Sequence, residues 1–262
     1  MLELNKYKGC MAFRWDICLI KNHKQQNINK LIGSWSGGKD SCLACYKAMQ
    51  MGYRINYLFN LISKKYQRCC FHGIKKELID LQAELIGIPL FQKGVSDDME
   101  LYEKEFKEAV TYLKTKGIDG MVFGDIYLTE HKNWVERVCK ELKINPLEPL
   151  WKKTPEEIVE EFISLGFKTI VVSAKAELFS KNIIGRLVDR KLVEELKQRG
   201  ICCCGENGEF HTFVIGGPIF KNGELEITKG QVILKEGFWS HWFLDIKDYR
   251  VNPKASECFE KE

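Results

Sequence analysis

Six residues, Ser36-Gly37-Gly38-Lys39-Asp40-Ser41, constrain this chain more than any other feature. They follow a short apolar run, Leu31 to Trp35. They precede "CLACYKAMQM", in which Leu43, Tyr46, Ala48 and Met49 recur near helical spacing. A strand that breaks at a glycine pair and re-enters as a helix belongs to an α/β sheet, with the loop at the carboxyl end of a strand. Gly37 and Gly38 permit backbone angles that turn several N–H groups into one concavity, and the helix start points its positive end at the same spot. Lys39 adds a full charge, and Ser36 and Ser41 add hydroxyl donors. The pattern predicts an anion cradle for a polyphosphate; the simpler alternative is a strand–helix turn capped by Ser or Asp. Gly33 and Gly38-Lys39 also satisfy most of a Walker A pattern. That pattern needs Ser or Thr where Asp40 stands, and a carboxylate there repels a γ-phosphate unless a metal intervenes.

The alternation continues along the chain. Strands are expected at Ile55 to Ile62, in "IPLFQ" and in "GMVFGDI". Helices are expected over His72 to Gly87, Asp97 to Lys116 and "LTEHKNWVERVCKELK". In the first of these, Ile74, Leu78, Leu81 and Leu85 form the apolar stripe and Gly87 is the stop. The expected fold is a Rossmann-like parallel sheet with helices on both faces, over residues 30–145. Ligands bind beyond the carboxyl ends of such strands, where Ser36 to Ser41 and Gly124 with Asp125 fall. Pro146, Pro149 and Pro155 then suggest a junction. A smaller C-terminal α+β domain is expected over 146–250, with helices at Pro155 to Leu165 and Asp189 to Arg199 and a strand in "KTIVVSA". "TFVIGGPIF", "GELEITKG", "QVILKEG" and "FWSHWFLDI" read as antiparallel strands separated by glycine turns. Residues 251–262 form a tail. The first 29 residues are unplaced, with "MAFRWDICLI" a candidate edge strand.

The 262 residues suffice for one large or two small domains, and 45% apolar against 29% charged residues excludes a disordered chain. A net charge of +4 is too mild for a nucleic-acid coat and argues against a nucleic-acid partner. No apolar run approaches the ~18 residues of a membrane span, and the start lacks a signal-peptide core, so a cytoplasmic protein with reduced thiols is expected. Eleven cysteines are present, but Cys69–Cys70 and Cys202–Cys203–Cys204 are contiguous and suit one tetrahedral metal poorly. An iron–sulfur cluster drawing on Cys42 and Cys45 is the rival to an incidental role.

The hexapeptide after the first strand resembles the PP-loop of the N-type ATP pyrophosphatases, which cut ATP between the α- and β-phosphates. Further segments, "FHGIKKELIDLQAELIGIPL", "VFGDI", "ERVCKEL", "PLEPLW", "VVSAKAEL...IGRLVD" and "CGENGEFHTF", resemble one branch, the diphthine–ammonia ligase family. The likeness runs from about Leu31 to about Phe220. It implies an AMP-forming ligase that adenylates a carboxylate and amidates it with ammonium, the acyl group being diphthine on elongation factor 2.

By that resemblance ATP lies at Ser36, Gly37, Gly38, Lys39, Asp40 and Ser41, with Asn60 and Gly124 beside it. Asp40 and Asp125 are candidate Mg2+ ligands, being hard oxygen donors. Lys39 stabilises the departing pyrophosphate. Glu206 or Glu209 takes a proton from ammonium, which is not a nucleophile until it loses one. His72, Glu130, His131, Asn207, Gly208 and Thr212 are candidates for the acyl-substrate side. Blander roles compete: a helix N-cap for Asp125, a helix start for His72 and a solvated turn for the glutamates. The chain reads "YLTEHKNW" where archaeal and eukaryotic members carry an "SDYQR"-like stretch, and "GENGEFHT" where they favour "GEGGEYET"; both look more like bacterial-type relatives. Two other readings stay open, a PP-loop enzyme that thiolates transfer RNA and a non-catalytic nucleotide sensor. A homo-oligomer is also open.

Overall fold

The computed structural model describes residues 30–70, 72–236 and 240–254. The candidate edge strand in the first 29 residues and most of the expected tail lie outside them. Five strands form the first sheet: β1 (Leu31–Ser34), β2 (Ile55–Ser63), β3 (Leu90–Val95), β4 (Gly120–Val122) and β5 (Asn145–Leu147). All neighbours pair in parallel, in the order β3-β2-β1-β4-β5. The chain moves outward from β1 to β3, returns to the centre, and moves out the other way. The switch point therefore lies between β1 and β4, where such sheets open a crevice.

Side-chain alternation along these strands feeds two cores. Ile32, Phe59, Met121 and Phe123 pack under α3 (Met99–Lys114) and α4 (Thr129–Leu142), against Phe106, Val110, Val135 and Val138. Leu31, Leu58 and Val122 point the other way, toward α1 (Lys39–Gln50) and α2 (Lys76–Ile86). That second core runs on without a break into the C-terminal half. The helices begin where sequence chemistry places them: Asp98 caps α3 through the N–H groups of Glu100 and Leu101, and Thr154 with Glu157 forms a capping box at α5 (Pro155–Ser164).

The second sheet contains β6 (Lys168–Lys175), β7 (Phe210–Gly216), β8 (Glu224–Lys235) and β9 (His241–Asn252), antiparallel in the order β7-β6-β9-β8. α5 and α6 (Arg190–Gln198) complete this half.

Three expectations are corrected. "GELEITKG" and "QVILKEG" are one strand, β8: Gly230 is no turn but sits at a register shift, pressed so close to Leu244 that a Cβ would come 2.8 Å from its Cδ1. The helix expected from His72 starts at Lys76, because Gly73 is left-handed with φ of 70° and bends the chain first. "INPL" supplies a fifth parallel strand despite Pro146, which an edge position tolerates.

Candidate functional site

The loop from Ser36 to Ser41 lies at the switch point and is braced from both halves of the molecule. Gly37 has φ of 81°, a conformation open to glycine at no cost. Its carbonyl accepts from Val214 N–H on β7 at 2.9 Å and from Gln82 Nε2 on α2 at 3.1 Å. Gln82 also donates to Val214 O and accepts from Trp35 Nε1 at 2.9 Å, so one fully buried amide fixes loop, strand and helix together. The Lys39 N–H donates to Thr212 Oγ1 at 3.1 Å. Ser36 and Ser41 face one another, 3.1 Å between hydroxyl oxygens, and Ser41 Oγ donates to Gly38 O. α1 has no side-chain cap, so neither Asp40 nor Ser41 is spent on closing the helix.

Lys39 is 3% exposed. Its Nζ donates to Asp40 Oδ2 at 2.8 Å and to the Cys204 carbonyl. Burial works against its charge, but attraction to Asp40, with a smaller one to Glu206, holds its pKa above the ordinary ammonium range. Asp40 Oδ1 is buried and has no hydrogen-bond partner, an orphaned acceptor at the mouth of the cradle. Gly124 lets the exit of β4 touch the start of α1: a Cβ there would lie 2.8 Å from Asp40 C and 2.9 Å from Ser41 N. Asp125 follows at once and hydrogen-bonds His131 at 3.1 Å, which raises the His131 pKa. Asp125 does not cap α4, whose N-cap position is Leu128.

The loop between α6 and β7 brings Glu206 to the same place. Burial, with the Asp40 charge next, pushes its pKa up to about 7; Lys39 and the Ile126 N–H pull the other way. Glu209 is placed differently. It is 8% exposed, and its carboxylate accepts from Asn207 N–H at 2.9 Å and Asn207 Nδ2 at 3.1 Å, bracing the loop rather than facing Lys39. Asn207 Nδ2 also reaches the Tyr127 hydroxyl at 3.3 Å, and Gly208 makes the turn with φ of 74°. Pro155, Glu156, Lys197 and Cys202 join Tyr127, Asn207 and Glu209 around an open pocket of about 510 Å³.

Asn60 is buried on β2, donating to Trp35 O at 2.7 Å and to Cys69 Sγ. Beyond it, a second cavity of about 450 Å³ opens past the ends of β2 and β3, lined by Ser63, Cys69, Asp97, Tyr102 and Phe243 among others. His72 stands over Gly38, and Glu130 is exposed on the first turn of α4. Gln82, the Cys204 carbonyl and His211 escape a reading of the sequence alone. Gln82 left one trace, a polar residue four after Leu78 and three before Leu85 on the apolar stripe of α2. Among the described residues no group of three or more His, Cys, Asp or Glu side chains is placed to hold a metal by itself, so Cys42 and Cys45 gather no cluster ligands.

Fold and site together define a doubly wound α/β protein with a glycine-bearing strand–helix loop at its switch point, roofed by a second, antiparallel sheet. The chain belongs to the diphthamide synthase family. The family model described as the diphthamide synthase N-terminal domain matches residues 29–146, and that of the C-terminal domain matches 154–251. Relatives named diphthine–ammonia ligase include those of Homo sapiens (28% identical; 76% of this chain, 83% of the relative) and Bos taurus (30%; 76% and 82%). That of Saccharomyces cerevisiae is 24% identical over 76% of this chain and 34% of its own length. A solved structure described as a predicted subunit of tRNA methyltransferase from Methanocaldococcus jannaschii aligns at a TM-score of 0.41 and 15% identity, covering 72% of this chain and 98% of that one.

Proposed function

We propose that this chain is an ATP-dependent, AMP-forming ligase that amidates a carboxylate with ammonia, as the names of its relatives indicate for diphthine. The observation that carries the reading is the buried, charged Lys39 set inside a backbone cradle at a helix start, with Asp40, Asp125 and Glu206 grouped at one side. A substrate carboxylate oxygen attacks the α-phosphorus of ATP, and the bond to the β-phosphate oxygen breaks. The cradle N–H groups, the serine hydroxyls and Lys39 receive the charge that collects on pyrophosphate. Glu206 accepts a proton from ammonium, a task suited to a carboxylate that titrates near neutrality. Ammonia then attacks the acyl carbon, and AMP leaves with the bridging oxygen. The base and ribose extend into the cavity past β2 and β3, and the acyl group enters through the pocket at Tyr127 and Asn207.

Mg2+ fits the residues present. Asp40 offers an unpartnered buried oxygen and Asp125 a second carboxylate, and this ion characteristically takes one or two carboxylates plus phosphates and water. Bound there it would offset triphosphate charge. No helix among the described residues is long and apolar enough to cross a membrane. We place the reaction in the cytoplasm, where unpaired thiols such as the described cysteines persist. "GENGEFHT" and "YLTEHKNW" support a place nearer the bacterial-type members. The second reading that follows from that placement is the same activation chemistry on another acyl substrate.

The test is product analysis with ATP, ammonium and a panel of acceptors, including elongation factor 2 carrying diphthine. AMP plus pyrophosphate is expected, and Lys39→Met should lower turnover about a hundredfold or more with an unchanged circular dichroism spectrum. ADP plus phosphate, or unaltered turnover in that variant, overturns the reading.

A further inference from the structure

The loop that carries Glu206 and the segment that leaves β4 are tied to one another twice. The Ile126 N–H donates to the Glu206 carboxylate. One residue further on in each, Asn207 Nδ2 donates to the Tyr127 hydroxyl at 3.3 Å. Ile126 is fully buried and its carbonyl accepts from the Lys152 N–H at 2.9 Å, so the place of Tyr127 is set by the packed exit of β4. The phenol therefore stands beside Glu206, on the wall of the open pocket of about 510 Å³. Tyr127 is 37% exposed, which lets its hydroxyl meet a molecule in that pocket.

The Tyr127 oxygen accepts from Asn207, which leaves its own hydrogen to be donated. Among the described residues its acceptor is Cys202 Sγ at 3.7 Å, and a thiol is a weak one. Side-chain donors nearby are committed. Asn207 directs its amide group to Glu209 Oε1, at 3.1 Å, as well as to Tyr127. Lys39 Nζ is held by Asp40 and the Cys204 carbonyl. Lys197 lines the same pocket from the last turn of α6, exposed on a flexible stem. A phenol is protonated at neutral pH, and burial raises the Tyr127 pKa further. Tyr127 thus presents a fixed hydroxyl whose hydrogen rests on nothing stronger than sulfur.

We propose that Tyr127 is a catalytic residue of the amidation half-reaction: its O–H leaves Cys202 and donates to the acyl oxygen of the adenylate as ammonia adds to the acyl carbon. The inference deepens the ligase reading and rests on it. As the new C–N bond forms, the carbonyl π pair moves onto oxygen, and the Tyr127 hydrogen bond stabilises that charge while the phenol keeps its proton. When the pair returns, the bond from the acyl carbon to the bridging oxygen breaks and AMP leaves with its electrons. Glu206 has by then taken one proton from ammonium, and the proton left over on nitrogen goes to solvent. The earlier step, attack of a carboxylate on phosphorus, builds no charge on the acyl oxygen and does not use the phenol. The phosphate loop then serves the first half-reaction, and the neighbouring Tyr127 and Glu206 serve the second.

The test uses the full chain and Tyr127→Phe, which removes the hydroxyl and keeps the ring. The probes are AMP and acetylsulfamoyl adenosine, a stable mimic of an acyl adenylate, each titrated by calorimetry. The expected result is unchanged affinity for AMP and about fivefold weaker binding of the mimic, the size of one neutral hydrogen bond. In turnover, ATP–pyrophosphate exchange should stay at the parental rate while amide formation falls about a hundredfold, the usual loss of one oxyanion donor. The mimic decides the question without an identified acceptor. Parental affinity for it overturns the proposal and leaves the ligase reading standing. An equal loss for AMP and the mimic overturns it as well, since Tyr127 would then only brace the loop. A loss confined to Lys197→Met hands the acyl oxygen to the lysine instead. Wild-type protein that binds neither probe refutes the AMP-forming reading, and the proposal falls with it.

Discussion

Glu206→Gln should make the protein more stable and less active, by amounts the structure fixes. In the folded chain burial and the Asp40 charge raise Glu206 from 4.5 to about 7. At pH 4 the side chain is protonated in folded and unfolded states alike, and the residue costs nothing. As pH climbs from 4.5 to 7 the unfolded chain loses this proton while the folded chain keeps it, so stability drains away across that window and the loss is complete above 7. A rise of this size corresponds to about 3 kcal/mol at pH 8. Glutamine has the shape without the charge and removes that cost. Urea denaturation of nucleotide-free protein should show no difference between variant and parent near pH 4, and a gain of about 3 kcal/mol at pH 8. Turnover in the ammonium-dependent reaction should fall about a hundredfold, the usual loss when a positioned base is removed. A gain equal at pH 4 and pH 8 would mean that packing rather than charge is responsible. No gain at pH 8 would refute the placement of Glu206 among the other carboxylates.

Gly124→Ala places a methyl against the backbone of Asp40 and Ser41, at 2.8 and 2.9 Å. The start of α1 must move by about half an ångström, so turnover should drop about tenfold or more at a stability cost of about 1–3 kcal/mol; parental kinetics would show that β4 does not touch the loop. Gln82→Leu strands the Trp35 N–H and the Val214 carbonyl in the core, and urea denaturation should register about 3 kcal/mol of lost stability. A loss under about 1 kcal/mol would mean that this amide is not the joint described.

The first sheet was legible in the sequence because its signals are local. β1, the glycine pair and the start of α1 lie in one continuous stretch, and Asp98, Thr154 and Asp189 announce α3, α5 and α6 within a turn of where they begin. β5 was hidden because three residues that include Pro146 show no alternation; only pairing with β4 makes them a strand. β8 was divided in two because Gly230 reads as a turn unless Leu244 is known to press on it. In the site, Ser36 to Ser41 could be read directly. The contacts that brace them come from Gln82, Cys204, Thr212 and Val214, up to 177 positions distant from the loop, and no local pattern encodes a partner so far along the chain.

The bond from Val214 to Gly37 has an implication for biogenesis. During synthesis the glycine turn leaves the ribosome long before the strand that holds its carbonyl. A nascent or broken chain therefore has the glycine loop and Gln82, one holder of its carbonyl, but not the strand that supplies the other. The loop reaches its full set of backbone contacts only once the polypeptide extends past residue 214.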